Sequence, residues 1–199
     1  MKKVSWPGAT LLTPVPPAIV SCGTMEKPNA ITIAWTGIIN SQPPKTYISV
    51  RPERYSYDII KESGEFIINM PTAKLVKEID YCGCRSGANE DKFKAMNLTP
   101  YEVEGYNCPA IAETPISLTC KVTQIVPLGS HDMFMADVTG VLVNENLIDE
   151  KGRLEIEKAG LMAYAHGQYF ELGKKIGTFG FSVKKPTKKK KKRFVKRKS

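Results

Sequence analysis

Two extended runs dominate the chain's second half: PISLTCKVTQIVP, Pro115–Pro127, and HDMFMADVTGVLVN, His131–Asn144. They are rich in β-branched residues, and only Leu128-Gly129-Ser130 parts them. Short Gly-containing links fold such runs back on each other, so the pair reads as a long hairpin. Upstream, Ala18–Cys22 reads as a short strand, Cys22–Pro28 as a polar turn and Asn29–Trp35 as a second strand. After the break at Gln42-Pro43-Pro44, Lys45–Val50 alternates, with Tyr47 and Ser49 on one face and Ile48 and Val50 on the other. A helix is expected over RYSYDIIKESG, with Ser56 as its N-cap, Asp58 in its first turn and Gly64 as its stop. EFIINM follows as a strand, and Thr72–Cys82 and Asn89–Asn97 as short helices around a Gly-containing loop. The last stretch, YAHGQYFELGKKIGTFGFS, reads as Gly- and aromatic-rich loop. Many strands, few helices and no strand–helix repeat predict a mainly β protein: a closed antiparallel barrel with peripheral helices.

At 199 residues the chain fits one domain, or one with an appendage. No apolar run is long enough to span a bilayer, and the proline-broken start MKKVSWPGATLLTPVPP is unlike a secretory signal, so a cytoplasmic location is expected. Five cysteines then read as reduced thiols. Cys82-Gly83-Cys84 is spaced too closely for a C-x-x-C redox motif, and no second Cys or His pair stands near it at zinc-finger spacing, so no metal site is expected. Cys84 can be a loop thiol near a bound ligand.

The net charge of +9 is misleading as a guide to function. Eleven of the 29 Lys and Arg lie in KKPTKKKKKRFVKRKS, Lys184–Ser199, which has no acid. The remainder carries 18 basic against 20 acidic residues, about −2. The expected organisation is a domain over 1–183 and a disordered Lys/Arg-rich tail over 184–199. Such a tail attracts nucleic acid or acidic surfaces non-specifically and in a salt-dependent way.

Several chemistries lack their residues. G-x-G-x-x-G, G-x-x-x-x-G-K-[ST], G-x-S-x-G and H-E-x-x-H are all absent, and two histidines, His131 and His166, are thin material for a hydrolase. What remains is a corner suited to phosphate. Asn29, Thr32 and Thr36 occupy polar positions of one strand, Arg51 follows the next strand directly, and Ser56 sits at a helix start. Hydroxyls, backbone N–H groups, a guanidinium and a helix N-terminus are what a dianionic phosphate needs. The same residues equally suit a plain cap and a solvated cation. Trp35 can be core or the wall of an aromatic ligand's site, Lys92 a solvated cation, His131 an edge residue, and His166 a member of an aromatic cluster.

In order and spacing these pieces resemble the flavin reductase-like family. The likeness runs through Thr13–Pro71: a proline-led first strand, an Asn–Thr–Trp second strand, a Ser-x-x-Pro-Pro break, then strand, Arg, helix and GEFxxN. SGANEDKF, the Cys120 strand and GSHDMFMADV extend it over roughly Ala9 to Gly180, and the flavoredoxin-type branch is nearest in pattern. The resemblance implies an FMN-binding split β-barrel, antiparallel and Greek-key-like, and a homodimer holding non-covalent FMN near its interface. Position by position, Asn29, Thr32, Ile33, Ala34, Trp35 and Thr36 would line the flavin. Val50, Arg51, Tyr55 and Ser56 would hold the ring edge and phosphate, Ser86 and Lys92 would close the site, and His131 would lie near the nicotinamide. Gln42, where the family commonly has an acid, and Ser130, where it often has Asp, depart from the pattern and bear on substrate preference. The implied function is an NAD(P)H-dependent flavin reductase passing electrons to free flavin, a ferric complex or a protein acceptor. The alternative is a flavoredoxin-like FMN electron carrier without NAD(P)H activity of its own.

Overall fold

The computed structural model describes residues 1–184. The lysine-rich segment read as a tail lies, beyond Lys184, outside the described residues. The elements run β1 (Ala18–Gly23), β2 (Pro28–Ile33), β3 (Thr36–Ser41), β4 (Pro44–Val50), α1 (Tyr55–Ser63), β5 (Glu65–Met70), α2 (Val76–Cys84) and α3 (Lys92–Ala95). They continue with the two-residue strands β6 (Pro100–Tyr101) and β7 (Ala110–Ile111), then β8 (Ile116–Pro127), β9 (Asp132–Val143), β10 (Met162–Ala165) and β11 (Gln168–Glu171).

Seven strands form one sheet in the order β2-β1-β5-β8-β9-β4-β3, every neighbour antiparallel. The long hairpin read from the sequence is its centre: β8 and β9 pair from Ile116↔Val143 to Pro127↔Asp132, and Leu128 N–H donates to His131 O across the turn. Two register shifts, at Thr119/Cys120 and Val122/Gln124, let these long strands curl. The β1–β2 and β3–β4 hairpins lie at opposite ends of the order, with β5, β8 and β9 between them, which gives the Greek-key-like connectivity. Ile31 and Ile33 of β2 share one core with Ile48 and Val50 of β4, so the rolled sheet brings its two ends together. The barrel is split, not closed. Its edges β2 and β3 are joined through Ala34–Trp35, and there Ser49 N–H donates to Trp35 O at 2.9 Å.

Several expectations are corrected here. Asn29–Trp35 is not one strand: β2 stops at Ile33, the chain turns at Ala34–Trp35, and β3 begins at Thr36. The proline break is therefore the turn of the β3–β4 hairpin. The N-cap of α1 is Arg54, not Ser56, whose hydroxyl is engaged by Asn29. Gly64 does end the helix, in the left-handed conformation at φ 68°. The Asn89–Asn97 helix shrinks to α3, which Asp91 caps by accepting from Lys94 N–H. The C-terminal stretch holds a hairpin, β10–β11, turned by His166 and Gly167 at φ 47° and 83°. His166 sits exposed at that tip; the aromatic pair is Tyr164 with Tyr169, centroids 5.4 Å apart.

Apolar side chains fill the barrel, and α1 plugs one end with Tyr57 and Ile60. The Tyr57 ring meets Phe134 edge-on at 5.2 Å while its hydroxyl donates to Asp132 Oδ2 at 2.6 Å. A second core, with Ile19, Ala30, Ile79 and Phe93, packs α2 and α3 against the outside of β1 and β2. Among the described residues, buried side-chain polar atoms are paired, Glu78 Oε2 excepted. Asn69 donates to Ile19 O and Ser21 Oγ, each at 2.9 Å, and accepts from Ile111 N–H and Ser117 Oγ, stitching β1, β5, β7 and β8.

Glu65, buried, accepts from Asn107 and Cys108 N–H and from Lys121 Nζ. Burial alone would raise its pKa, but the Lys121 ammonium and the two N–H donors outweigh it and hold the carboxyl below its ordinary value. A depressed carboxyl stabilises the fold above its unfolded pKa of about 4.3, and that contribution is lost as pH falls through the folded value. Glu65→Ala orphans two N–H groups and should cost about 2–4 kcal/mol by urea denaturation at pH 7. The gap to wild type should narrow in acid; a gap independent of pH would show that the charge is not what stabilises.

Candidate functional site

Where β2, α1 and the end of α2 meet, two adjoining clefts open, of about 380 and 390 Å³. Ile31, Arg51 and Arg54 line both. The first is walled by the chain from Ile31 to Trp35, by Val50 and His131, and on its far side by Asp80, Tyr164 and Tyr169. The second is polar and cationic: Arg51, Arg54, Arg85 and Lys92 surround it with Ser56 and Ser86, against one carboxylate, Glu53.

The structure brings most of the sequence-selected residues together. Thr32, Ile33, Ala34, Trp35, Val50, Arg51 and His131 reach the first cleft; Arg51, Tyr55, Ser56, Ser86 and Lys92 reach the second. Asn29 and Thr32 do not share a face, because strand side chains alternate. Asn29 Nδ2 donates to Ser56 Oγ at 2.8 Å and fastens β2 to α1, whereas Thr32 Oγ1 donates to Ile79 O and fastens β2 to α2. Thr36 Oγ1 donates to Tyr47 O at 2.6 Å within the β3–β4 hairpin and lines neither cleft.

Lys92 is the electrostatic centre. Its side chain is buried, and Nζ donates to Ala30 O at 2.7 Å and Cys82 O at 2.9 Å. Among the described residues it has no carboxylate partner. Burial lowers its pKa, and Arg54 adds repulsion. Arg54 donates to Gly83 O at 2.8 Å. Arg85 stays 4.0 Å from Glu90, and Arg51 pairs loosely with Glu53 at 3.2 Å.

His131 immediately precedes β9 and lines the first cleft. Ser130 Oγ lies 2.9 Å from its Nδ1, so the serine that replaces the family's common acid still orients the ring. Partial burial, then the Arg51 guanidinium, lowers the imidazole's pKa below the ordinary 6.5, so the ring is neutral at pH 7.

Sequence reasoning missed Arg54, Arg85 and the Tyr164–Tyr169 wall. Arg54 had a local signal, a cation immediately before a helix start. The tyrosines had none, since their hairpin reaches the cleft through tertiary contacts such as the pairing of Val15 with Tyr164 and a Tyr169 hydroxyl 3.3 Å from Asp80.

Gly87 lets its loop lie close on β2 and α1: a Cβ there would lie 2.0 Å from Asn29 Oδ1 and 2.8 Å from Tyr55 Cδ1. Gly87→Ala should push the Ser86–Ala88 loop off β2 and cost roughly 1–3 kcal/mol, read as a lowered denaturation midpoint. An unshifted midpoint would mean that the loop moves aside freely.

Comparison with known proteins agrees with this architecture. Flavoredoxin of Desulfovibrio vulgaris (Miyazaki F) superposes with a TM-score of 0.85 at 31% identity, covering 92% of this chain and all of that one. Flavoredoxin from Methanosarcina acetivorans does so at 0.83 and 23% identity over 92% of this chain and all of that one, a likeness of fold. An uncharacterized protein of Archaeoglobus fulgidus is 31% identical over 146 residues, 73% of this chain and 81% of that protein. The model of the flavin reductase like domain matches residues 11–173, and the chain belongs to the flavin reductase-like family.

Proposed function

We propose that the protein is an FMN-binding oxidoreductase, an NAD(P)H-dependent flavin reductase. The observation that carries this reading is the buried Lys92 ammonium, without a carboxylate among the described residues, in a cleft that it shares with three arginines and two serines. A buried charge costs several kcal/mol unless compensated, and two carbonyls compensate only part of it. A phosphate monoester supplies the missing anion. The adjoining cleft, with Trp35, Val50 and the edge-strand segment of residues 31–35, suits a flat, partly polar ring. The residues present therefore fit FMN. Arg51, Arg54, Ser56, Ser86 and Lys92 would hold its phosphate, and Ile33, Ala34 and Trp35 its ring. Bound FMN would supply the hydride and electron transfer that the side chains lack.

The chain's own residues bind, orient and exclude water. No dedicated acid–base pair is required. His131, neutral and held by Ser130, would position the pyridine nucleotide at the rim without adding charge. A homodimer is proposed with it: Trp6, Leu12, Ile176 and Phe179 are exposed on the terminal segments, an apolar surface of the kind a second copy covers. The similarity to flavoredoxins supports the second reading, an FMN electron carrier fed by a partner protein. A 23% identical relative, the NADPH-flavin oxidoreductase of Streptomyces viridifaciens, supports the first.

The purified protein should be yellow and should release FMN on denaturation; colourless protein that takes up no FMN would end the proposal. Anaerobic addition of NADH or NADPH should bleach the flavin rapidly if the protein is a reductase. Failure of both nucleotides would favour the carrier. His131→Ala should slow that bleaching about 10-fold or more without releasing FMN. Unchanged reduction kinetics would dispose of the histidine's role.

A further inference from the structure

The last carbonyls of an α-helix lack partners within it. In α2 the Tyr81 carbonyl accepts from Arg85 N–H at 3.0 Å, as an ordinary final turn does. The next two are taken by distant cations: Cys82 O by Lys92 Nζ and Gly83 O by Arg54 Nη2. Arg85, the C-cap, is extended at φ −98°, ψ 154°, so no left-handed turn supplies these bonds. Cations at the negative end of a helix are favourable, and hydrogen bonds from charged donors are the strong kind.

These two side chains face both ways. On one side they hold the end of α2, whose Asp80, Gly83 and Cys84 wall the first cleft. On the other they line the anion cleft with donors to spare, because Lys92 keeps a third N–H and Arg54 has further guanidinium N–H groups. An anion can thus bind without breaking the caps. It would fix two long side chains whose ordering entropy otherwise opposes capping, and each event then lowers the cost of the other.

We infer that Arg54 and Lys92 are positioning residues that couple the two clefts, so that an anion in the second, cationic cleft firms the end of α2 that walls the first. The inference rests on the functional reading above in assigning the cofactor's phosphate to that anion. Its effect is to complete the first cleft, proposed for the ring, only when the phosphate is seated in the second.

Cys84 offers a reporter. It is exposed at the end of α2, whereas Cys22, Cys82, Cys108 and Cys120 are buried. Burial raises all four of those thiols, Cys22 and Cys82 to about 11 and Cys120 to about 12, so a neutral maleimide near pH 7 reacts first at Cys84. The probe is inorganic phosphate on the full-length, flavin-free chain, with chloride matched for ionic strength and N-ethylmaleimide labelling of Cys84 followed by peptide mass. At concentrations that displace FMN, phosphate should slow labelling roughly threefold or more, although it occupies the other cleft. Arg54→Met should label faster than wild type and lose the phosphate effect, and Arg54→Lys should regain part of it. Phosphate that displaces FMN yet leaves the wild-type rate unchanged overturns the inference, as does phosphate that does neither. If Arg54→Met does not fold, the wild-type phosphate effect decides alone. Absence of FMN binding would sink the functional reading, while phosphate protection of Cys84 in such a protein would still uphold the coupling.

Discussion

One ammonium held out of water organises this region. Lys92 reaches under β2 to the Ala30 carbonyl and across to the Cys82 carbonyl, and so ties the edge of the barrel, the end of α2 and the start of α3 to one point. Burying a charge is tolerable only where dipoles and counter-charge surround it. Ala30 and Cys82 supply the dipoles. The proposed ligand would supply the counter-charge; three arginines stand at the cleft without a matching set of acids. The loop bordering the cleft lies close on β2 and α1 because Gly87 has no side chain to collide with Asn29 and Tyr55.

Much of the barrel was legible because its strands obey simple periodicities. Lys45–Val50 alternates in exposure as read, and the long β8–β9 hairpin turns where Gly129 was expected to turn it. The failures have physical causes. β3 was missed because Gly37–Ser41 buries nothing on either face; Ile38 is among the most exposed apolar residues of the barrel. Without a burial pattern an edge strand looks like a loop, and Pro43-Pro44 then looks like an end instead of a turn. β10 and β11 were missed because four-residue strands carry too little pattern. Their register is set by a His–Gly turn and by contact with Val15, almost 150 residues away.

The site was legible as a neighbourhood more than as a set of contacts. The polar residues of Asn29–Thr36 were read as facing a ligand, and their hydrogen bonds give them another task. Asn29 engages α1, Thr32 engages α2 and Thr36 engages β4. A plain apolar strand would pack against the same elements but would not fix their rotation or height. With its side-chain hydroxyls and amide spent on neighbours, the segment presents main chain, Ile33, Ala34 and Trp35 to the first cleft. Spacing already puts Asn29 and Thr32 on opposite faces, but it does not say which neighbouring element each face meets.

Charge closes the argument. The domain without its lysine-rich segment is close to neutral, about −2, so no long-range field draws anions to it. The cations are local, and Arg51 and Arg85 at the rim are already loosely engaged by Glu53 and Glu90. Lys92 and Arg54 instead spend their fixed bonds on carbonyl oxygens, which orient them without neutralising them. A rim charge in water contributes little, because solvent and salt screen it, whereas a buried one retains most of its field at short range. In the proposed reading, selectivity for a phosphorylated ligand would therefore reside in the two cations that the fold itself immobilises. The excess positive charge of the whole sequence, all of it near the C-terminus, is no guide to where an anion binds.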